Sequence, residues 1–456
     1  MKHVSQLTSL DHAAGGLGIG IIALILATIL LGSQIGIRVS TDFADGEVGP
    51  LSPLTLTFST PVNAGDVEPL LALDPKTAGR VDWLDTTTMQ YTPTSPLQPD
   101  TVYRMTLRPG SIGEGGELLR KEQTWTFSVR DPLIVYQSFP ENRSEIWAVD
   151  KDGESPHRLV ETDLRIYDFD ASPNGEFIIY SAYNEQEGLD LWIVGRDGKS
   201  PSKLLDCRAG RCTIPSVSPD SAQVAYTREA APLNANDVPG APRIFVVDIK
   251  SQQNRPLFED SQVLGYGAAW SPDGKWITSF DGLQDLIRVV SLETGEQVVL
   301  PSVIGSYLTW SPDSSRLAFI DAEDTPDGLR TVINIADFKT GEVGNLLGRR
   351  DAFDFGYGSV AWSPADPSQM VIGMRATPEE PAQGLWLIDI DTLSGTAIAN
   401  EENVTYQAPR WGVWGNAVLF QHFKLGEAAQ PQISLWETGV GQPRILAEGL
   451  SPAWLP

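Results

Sequence analysis

An all-β chain behind one apolar helix is the fold class that the sequence predicts, and three observations predict it. Thirteen Trp, 42 Gly and 33 Pro among 456 residues favour many short strands joined by tight turns over long helices. Residues 13–37 form an uncharged apolar run. From residue 131 onward one pattern returns every 40–50 residues, the period of β-propeller blades.

The apolar run AAGGLGIGIIALILATILLGSQIGI comes first. At about 1.5 Å per residue it crosses a hydrocarbon core of roughly 30 Å with room for tilt. A cleaved signal peptide is the alternative, but its apolar region is shorter and ends in an Ala-x-Ala-like site. Here the run continues into GSQIGIR, with no Cys nearby for a lipid anchor. Residues 13–37 are therefore expected to be a single transmembrane signal-anchor helix, behind a cytoplasmic tail at 1–12. A short basic tail stays inside, which places the rest outside the plasma membrane. Gly16 and Gly20, then Gly32 and Gly36, have GxxxG spacing and offer a weak route to homo-oligomers.

Residues 38–130 carry alternating stretches: LTLTF from Leu54, MQYT from Met89, VYRMTL from Val102 and TWTFSV from Thr124. Separated by Pro, Gly and Asp clusters, they read as an antiparallel β-sandwich. The pieces LTFSTPVN, YTPTSPLQPDTVYRMTL and WTFSV resemble the bacterial Ig-like domain of S-layer and other envelope proteins. That resemblance implies a spacer or adhesion module without catalysis, holding the next domain off the membrane.

Residues 131–456 repeat a four-strand unit. A strand ending in Ser-Pro is followed by an IAF-type strand, a longer strand such as LWIVGRDG, and a short one such as SKLL. First-strand markers fall at Ala171, Val217, Trp270, Trp310, Trp362, Trp411 and Trp454. The domain opens on a second strand, LIVYQ, and ends on a first strand, SPAWLP. Joined, they complete one blade and remove the open edges. The expectation is a closed, seven-bladed β-propeller, with six or eight as the neighbouring counts. The units WSPDGKWITSF, WSPDSSRLAFI, ASPNGEFIIY and VSPDSAQVAY, with EIWAVDKDGE and LWIVGRDGK, resemble the propeller repeats of the TolB family. That family implies the fold; its periplasmic namesake has a different N-terminal domain and fewer blades.

Ser-Pro-Asp-Gly within the repeat reads as a turn. Pro suits the first corner, Asp bonds its own backbone and Gly takes the left-handed position. The preceding Trp supplies surface between blades. Function is expected on the uneven loops between second and third strands, at 228–242, 321–329, 375–384 and 422–431. Tyr167, Tyr266, Tyr307, Tyr357 and Tyr406 recur three to five residues ahead of their markers. They are candidates for lining the channel mouth against a peptide or sugar, or else for wedging between blades. Asp168, Asp170, Asp351 and Asp354 lie in the same connections, and Asp168 and Asp354 join the candidate binding residues of the channel mouth. The four could hold a cation, but without the spacing of a calcium loop solvated acids are the expectation. Cys207 and Cys212 are close enough for a disulfide in an oxidising compartment, and with no His nearby they make a poor zinc site.

The net charge of −26 falls mostly beyond residue 130 and disfavours nucleic acid. There is no HExxH, GxSxG or phosphate loop, and His157 and His422 are the only histidines beyond the apolar run. The chain ends at Pro456 inside the closing strand, so no hydrolase domain is expected to follow. No cofactor is expected either. The reading is a membrane-anchored protein-binding or scaffold module, an accessory subunit of a cell-envelope complex. The alternative is a glycan- or peptide-binding receptor or hydrolase at the channel mouth.

Overall fold

The computed structural model describes residues 36–232, 234, 237–305, 308–325, 328–346, 355–375, 381–426 and 430–456, without the side chains of 142, 325, 328–330 and 355–359. The chain divides into two compact units, one ending at Val129 and one beginning at Arg130. The expected transmembrane segment 13–37, apart from its last two residues, lies outside the described residues, as do Gly16, Gly20 and Gly32. Among the described residues no helix is long and apolar enough to cross a membrane.

The first unit is a sandwich of two four-stranded sheets. Their strand orders are Val39–Thr41, Leu54–Phe58, Thr88–Pro93, Gly79–Asp85 and Glu47–Val48, Gln123–Val129, Val102–Leu107, Leu71–Asp74. Alternation sets the inner faces. Leu54, Leu56 and Phe58 point inward from one strand, Tyr103, Met105 and Leu107 from another, and all six are buried together with Met89 and Phe127.

In the second unit, five four-stranded sheets and one eight-stranded sheet make seven blades among the described residues. The eight-stranded sheet is blades 2 and 3 joined by one parallel pairing, Leu189 to Arg211. Within each blade the strands run antiparallel, and the strand that carries the first-strand marker lies at one side of the sheet. In blade 1 that strand is Leu450–Leu455, paired with Leu133–Ser138. The same last strand packs against the first strands of blade 2, Ile166–Ala171, and blade 7, Val404–Trp411.

The Ser-Pro-Asp-Gly corner is built from its own polar atoms. Ser271 Oγ donates to Asp273 at 2.6 Å and accepts the Trp276 N–H at 3.0 Å. Gly274 sits at φ +71°, where a side chain would be strained. Ser311 and Ser218 repeat the first two bonds. The corners also meet each other: the Asp273 N–H donates to Ser314 Oγ in the next blade at 3.0 Å, and Asn174 N–H to Ser221 Oγ at 3.1 Å. The marker tryptophans do more than fill space. Trp270, Trp411 and Trp454 donate their indole N–H to the carbonyls of Ser216, Ala361 and Arg410, at 2.9, 3.1 and 3.1 Å, each in the first strand of the neighbouring blade. The motif turns a corner and bolts blades together.

Candidate functional site

The first strand of blade 2 carries Tyr167, Asp168 and Asp170 in sequence, and the three part ways. Tyr167 is 51% exposed. Asp168 accepts hydrogen bonds from the Ser181 hydroxyl and from the Ile214 N–H at 2.7 Å. Asp170 accepts from the Val217 N–H at 2.9 Å. Ile214 and Val217 belong to the first strand of blade 3, Arg211–Val217. The two carboxylates therefore clamp adjacent blades. This corrects the expectation of solvated acids: although each residue keeps some surface, its carboxylate lies amid crowded strands. Desolvation outweighs the hydrogen bonds and raises both groups to about 6.

The clamp also shapes a surface. Ile214, pinned through its N–H, takes φ +51° and stands 41% exposed. Tyr167, Tyr183, Arg211, Ile214 and Tyr266 line one cleft of 270 Å³ spanning blades 2, 3 and 4. Tyr167 meets Tyr183 edge to face at 6.3 Å, and the Arg165 guanidinium covers the Tyr183 ring at 3.8 Å. Tyr266 is 38% exposed and rests edge-on against Phe280 at 5.4 Å. The geometry provides flat aromatic faces, an exposed aliphatic group and a cation in one trough. Glu229 lines the same trough and pairs with Arg211 at 3.7 Å.

Two of the five expected tyrosines, Tyr167 and Tyr266, thus share a cleft. Tyr406 does not join them. It is 3% exposed, part of the core between blades 6 and 7, with its ring stacked on His422 at 5.4 Å. Burial and the nearby Glu401 carboxylate push its hydroxyl up to about 12. Tyr167 and Tyr266 stand four residues ahead of their markers and Tyr406 five. Each strand also has a register shift between Ile166 and Asp168, Tyr266 and Ala269, or Gln407 and Arg410, so equal spacing along the chain does not place the three rings on one face. Tyr307, Asp351 and Asp354 lie outside the described residues, as does the side chain of Tyr357. Tyr183, Arg211 and Ile214 were not expected here. Tyr183 is marked in the sequence only by ending a second strand, and Arg211 by preceding Cys212.

Cys207 and Cys212 are disulfide-bonded, in the connection from blade 2 to blade 3. The buried Asp190 carboxylate braces that loop, accepting from the Cys207 N–H at 2.8 Å and Asn184 Nδ2 at 2.8 Å and forming an ion pair with the Lys203 ammonium at 2.7 Å. Among the described residues no group of three His, Cys, Asp or Glu could hold a metal ion.

Residues 38–129 match the bacterial Ig-like domain family. Among solved structures, a puromycin-hydrolyzing peptidase of Mycobacterium tuberculosis is 14% identical, with a TM-score of 0.51 over 78% of this chain and 53% of that one. A structure of prolyl endopeptidases is 11% identical, with a TM-score of 0.53 over 70% and 50%. TolB from Acinetobacter baumannii is 15% identical over 85% and 83%, with a TM-score of 0.39. The chain spans about half the length of the two peptidase structures, and its likeness to them is one of fold. Among curated proteins none matches the sequence. The chain joins a bacterial Ig-like domain to a β-propeller unit of seven four-stranded blades.

Proposed function

We propose that the chain is an extracytoplasmic protein-binding module of the cell envelope, anchored in the plasma membrane by residues 13–37 with its N-terminus in the cytoplasm. Its seven blades close into one ring, and the partner docks on the rim that carries the long second-to-third-strand loops. The observation that carries this reading is the cleft at Tyr167, Ile214 and Tyr266. Exposed aromatic rings beside an arginine are the groups that dominate protein interfaces, and a rigid scaffold presents them at one place. The length and lack of charge of 13–37 support the anchor, and the disulfide suits an oxidising compartment.

The test is a cross-linked pull-down of the full chain from its native membrane, beside the double variant Tyr167→Ala, Tyr266→Ala. A stoichiometric protein captured by the natural chain and reduced about thirtyfold in the variant, the effect of losing one hot-spot contact of about 2 kcal/mol, is the expected result. Equal capture by both, or capture by neither, overturns the reading. Both side chains are exposed enough for the variant to keep its thermal unfolding midpoint, which the same experiment checks.

A further inference from the structure

Blade 7 carries a second cleft, separate from the mouth. Four residues stand directly opposite one another across its four strands: Tyr406 against His422, His422 against Gln432, Gln432 against Glu448. At roughly 4.8 Å between strands the row is about 14 Å long. A second row lies beside it, with Phe420 against Ser434 and Ser434 against Ile445. Together the two rows line a trough of 440 Å³.

The chemistry of the trough is specific. Its floor is buried and largely fixed: Tyr406, Phe420 and Ser434 are 3% exposed or less, and His422 Nε2 is hydrogen-bonded to Ser434 Oγ at 2.9 Å. Burial lowers the His422 pKa, so the ring is neutral near pH 7 and carries one donor and one acceptor. Gln432, Ser434 and the Tyr406 hydroxyl likewise combine donor and acceptor capacity. A partner with many hydroxyls, each donating and accepting, matches such a row. The 58%-exposed Ile445 offers apolar surface to the C–H face of a ring. Among the described residues the charged groups at the trough are the carboxylates of Glu401 and Glu448 and the ammonium of Lys424. Their negative balance, on a chain of net charge −26, works against an anionic ligand.

We propose that this trough is a binding site for a short neutral oligosaccharide. The site is independent of the mouth cleft and does not rest on the protein-binding reading. Glu448 and Gln432 hold hydroxyls at the outer end of the row, His422 and Tyr406 at the inner end.

The full chain in detergent is titrated with maltotriose, cellotriose and N-acetylated chitotriose, by saturation-transfer NMR and calorimetry. Trigalacturonate and trilysine serve as charged comparators. The expected result is saturable binding of at least one neutral probe, weakened tenfold or more by Gln432→Ala and by Glu448→Ala. Tyr167→Ala with Tyr266→Ala leaves it unchanged, which separates this site from the mouth. Failure of all three neutral probes overturns the proposal. So does binding that both trough variants leave intact, or tighter binding of either charged comparator. Glu448 is exposed and Gln432 partly so, and an unaltered thermal midpoint certifies that each variant is folded.

Discussion

Asp168 and Asp170 hang from one strand and hold the backbone of the next, at the expense of their hydration. With folded values near 6, above the ordinary carboxylate value, the folded state binds more protons than the unfolded one between about pH 4 and pH 6. Their contribution is therefore greatest at the acid end of that window and is lost as pH rises through 6. Urea midpoints taken from pH 4 to 6.5 should fall more steeply for the natural chain than for Asp168→Asn with Asp170→Asn. The amide oxygens of that variant still accept the Ile214 and Val217 N–H groups. Parallel curves would mean that the carboxylates titrate normally. The repeat position of these residues is plain in the sequence, but their burial is not. It depends on which neighbouring backbone N–H groups the ring brings within reach, and spacing along one strand carries no information about that.

At the scale of elements, alternation makes Leu54–Phe58 and Val102–Leu107 legible, because one face of each is buried. Gly79–Asp85 escaped notice: it is an edge strand with no fully buried residue, and its inner face is only the two partly buried side chains Val81 and Trp83. The Ser-Pro corners were legible because turn chemistry is local. The indole bonds between blades were not, since their acceptors lie about 50 residues away in sequence, 54 for Trp270 and Ser216. The connection from blade 2 to blade 3 is the element whose bracing is covalent. Its cysteines are 5 positions apart, and so short a loop stabilises by about 2 kcal/mol on the chain-entropy argument. Cys207→Ser with Cys212→Ser should lower unfolding stability by about that amount, and a reducing agent should do the same to the natural chain. Because Arg211 adjoins the bridge, hydrogen exchange should also rise along Arg211–Val217; unchanged protection there would show that Asp190 alone braces the loop.

For the whole propeller, the decisive feature is how its last strand is held. Arg196 donates to the Leu455 and Pro456 carbonyls at 2.8 and 2.9 Å, and Arg130 to Pro456 at 3.3 Å. Gly175 makes this approach possible: at φ +73°, a Cβ there would stand 1.6 Å from the Pro456 oxygen. Gly175→Ala should cost more than about 1 kcal/mol, the least expected when a side chain enters a left-handed position. It should also raise hydrogen exchange in Leu133–Ser138, the strand that the last one covers. A drop in stability without that local change would place the damage in the corner instead. The same feature sets a clock. Arg130 and Pro456 are 326 residues apart, and at 5–20 residues per second a ribosome needs on the order of tens of seconds to span such a distance. Throughout that interval Leu133–Ser138 has Glu145–Asp150 on one side and an open edge on the other. The first blade made is the last to be finished, and that open edge is a natural place for a chaperone to wait.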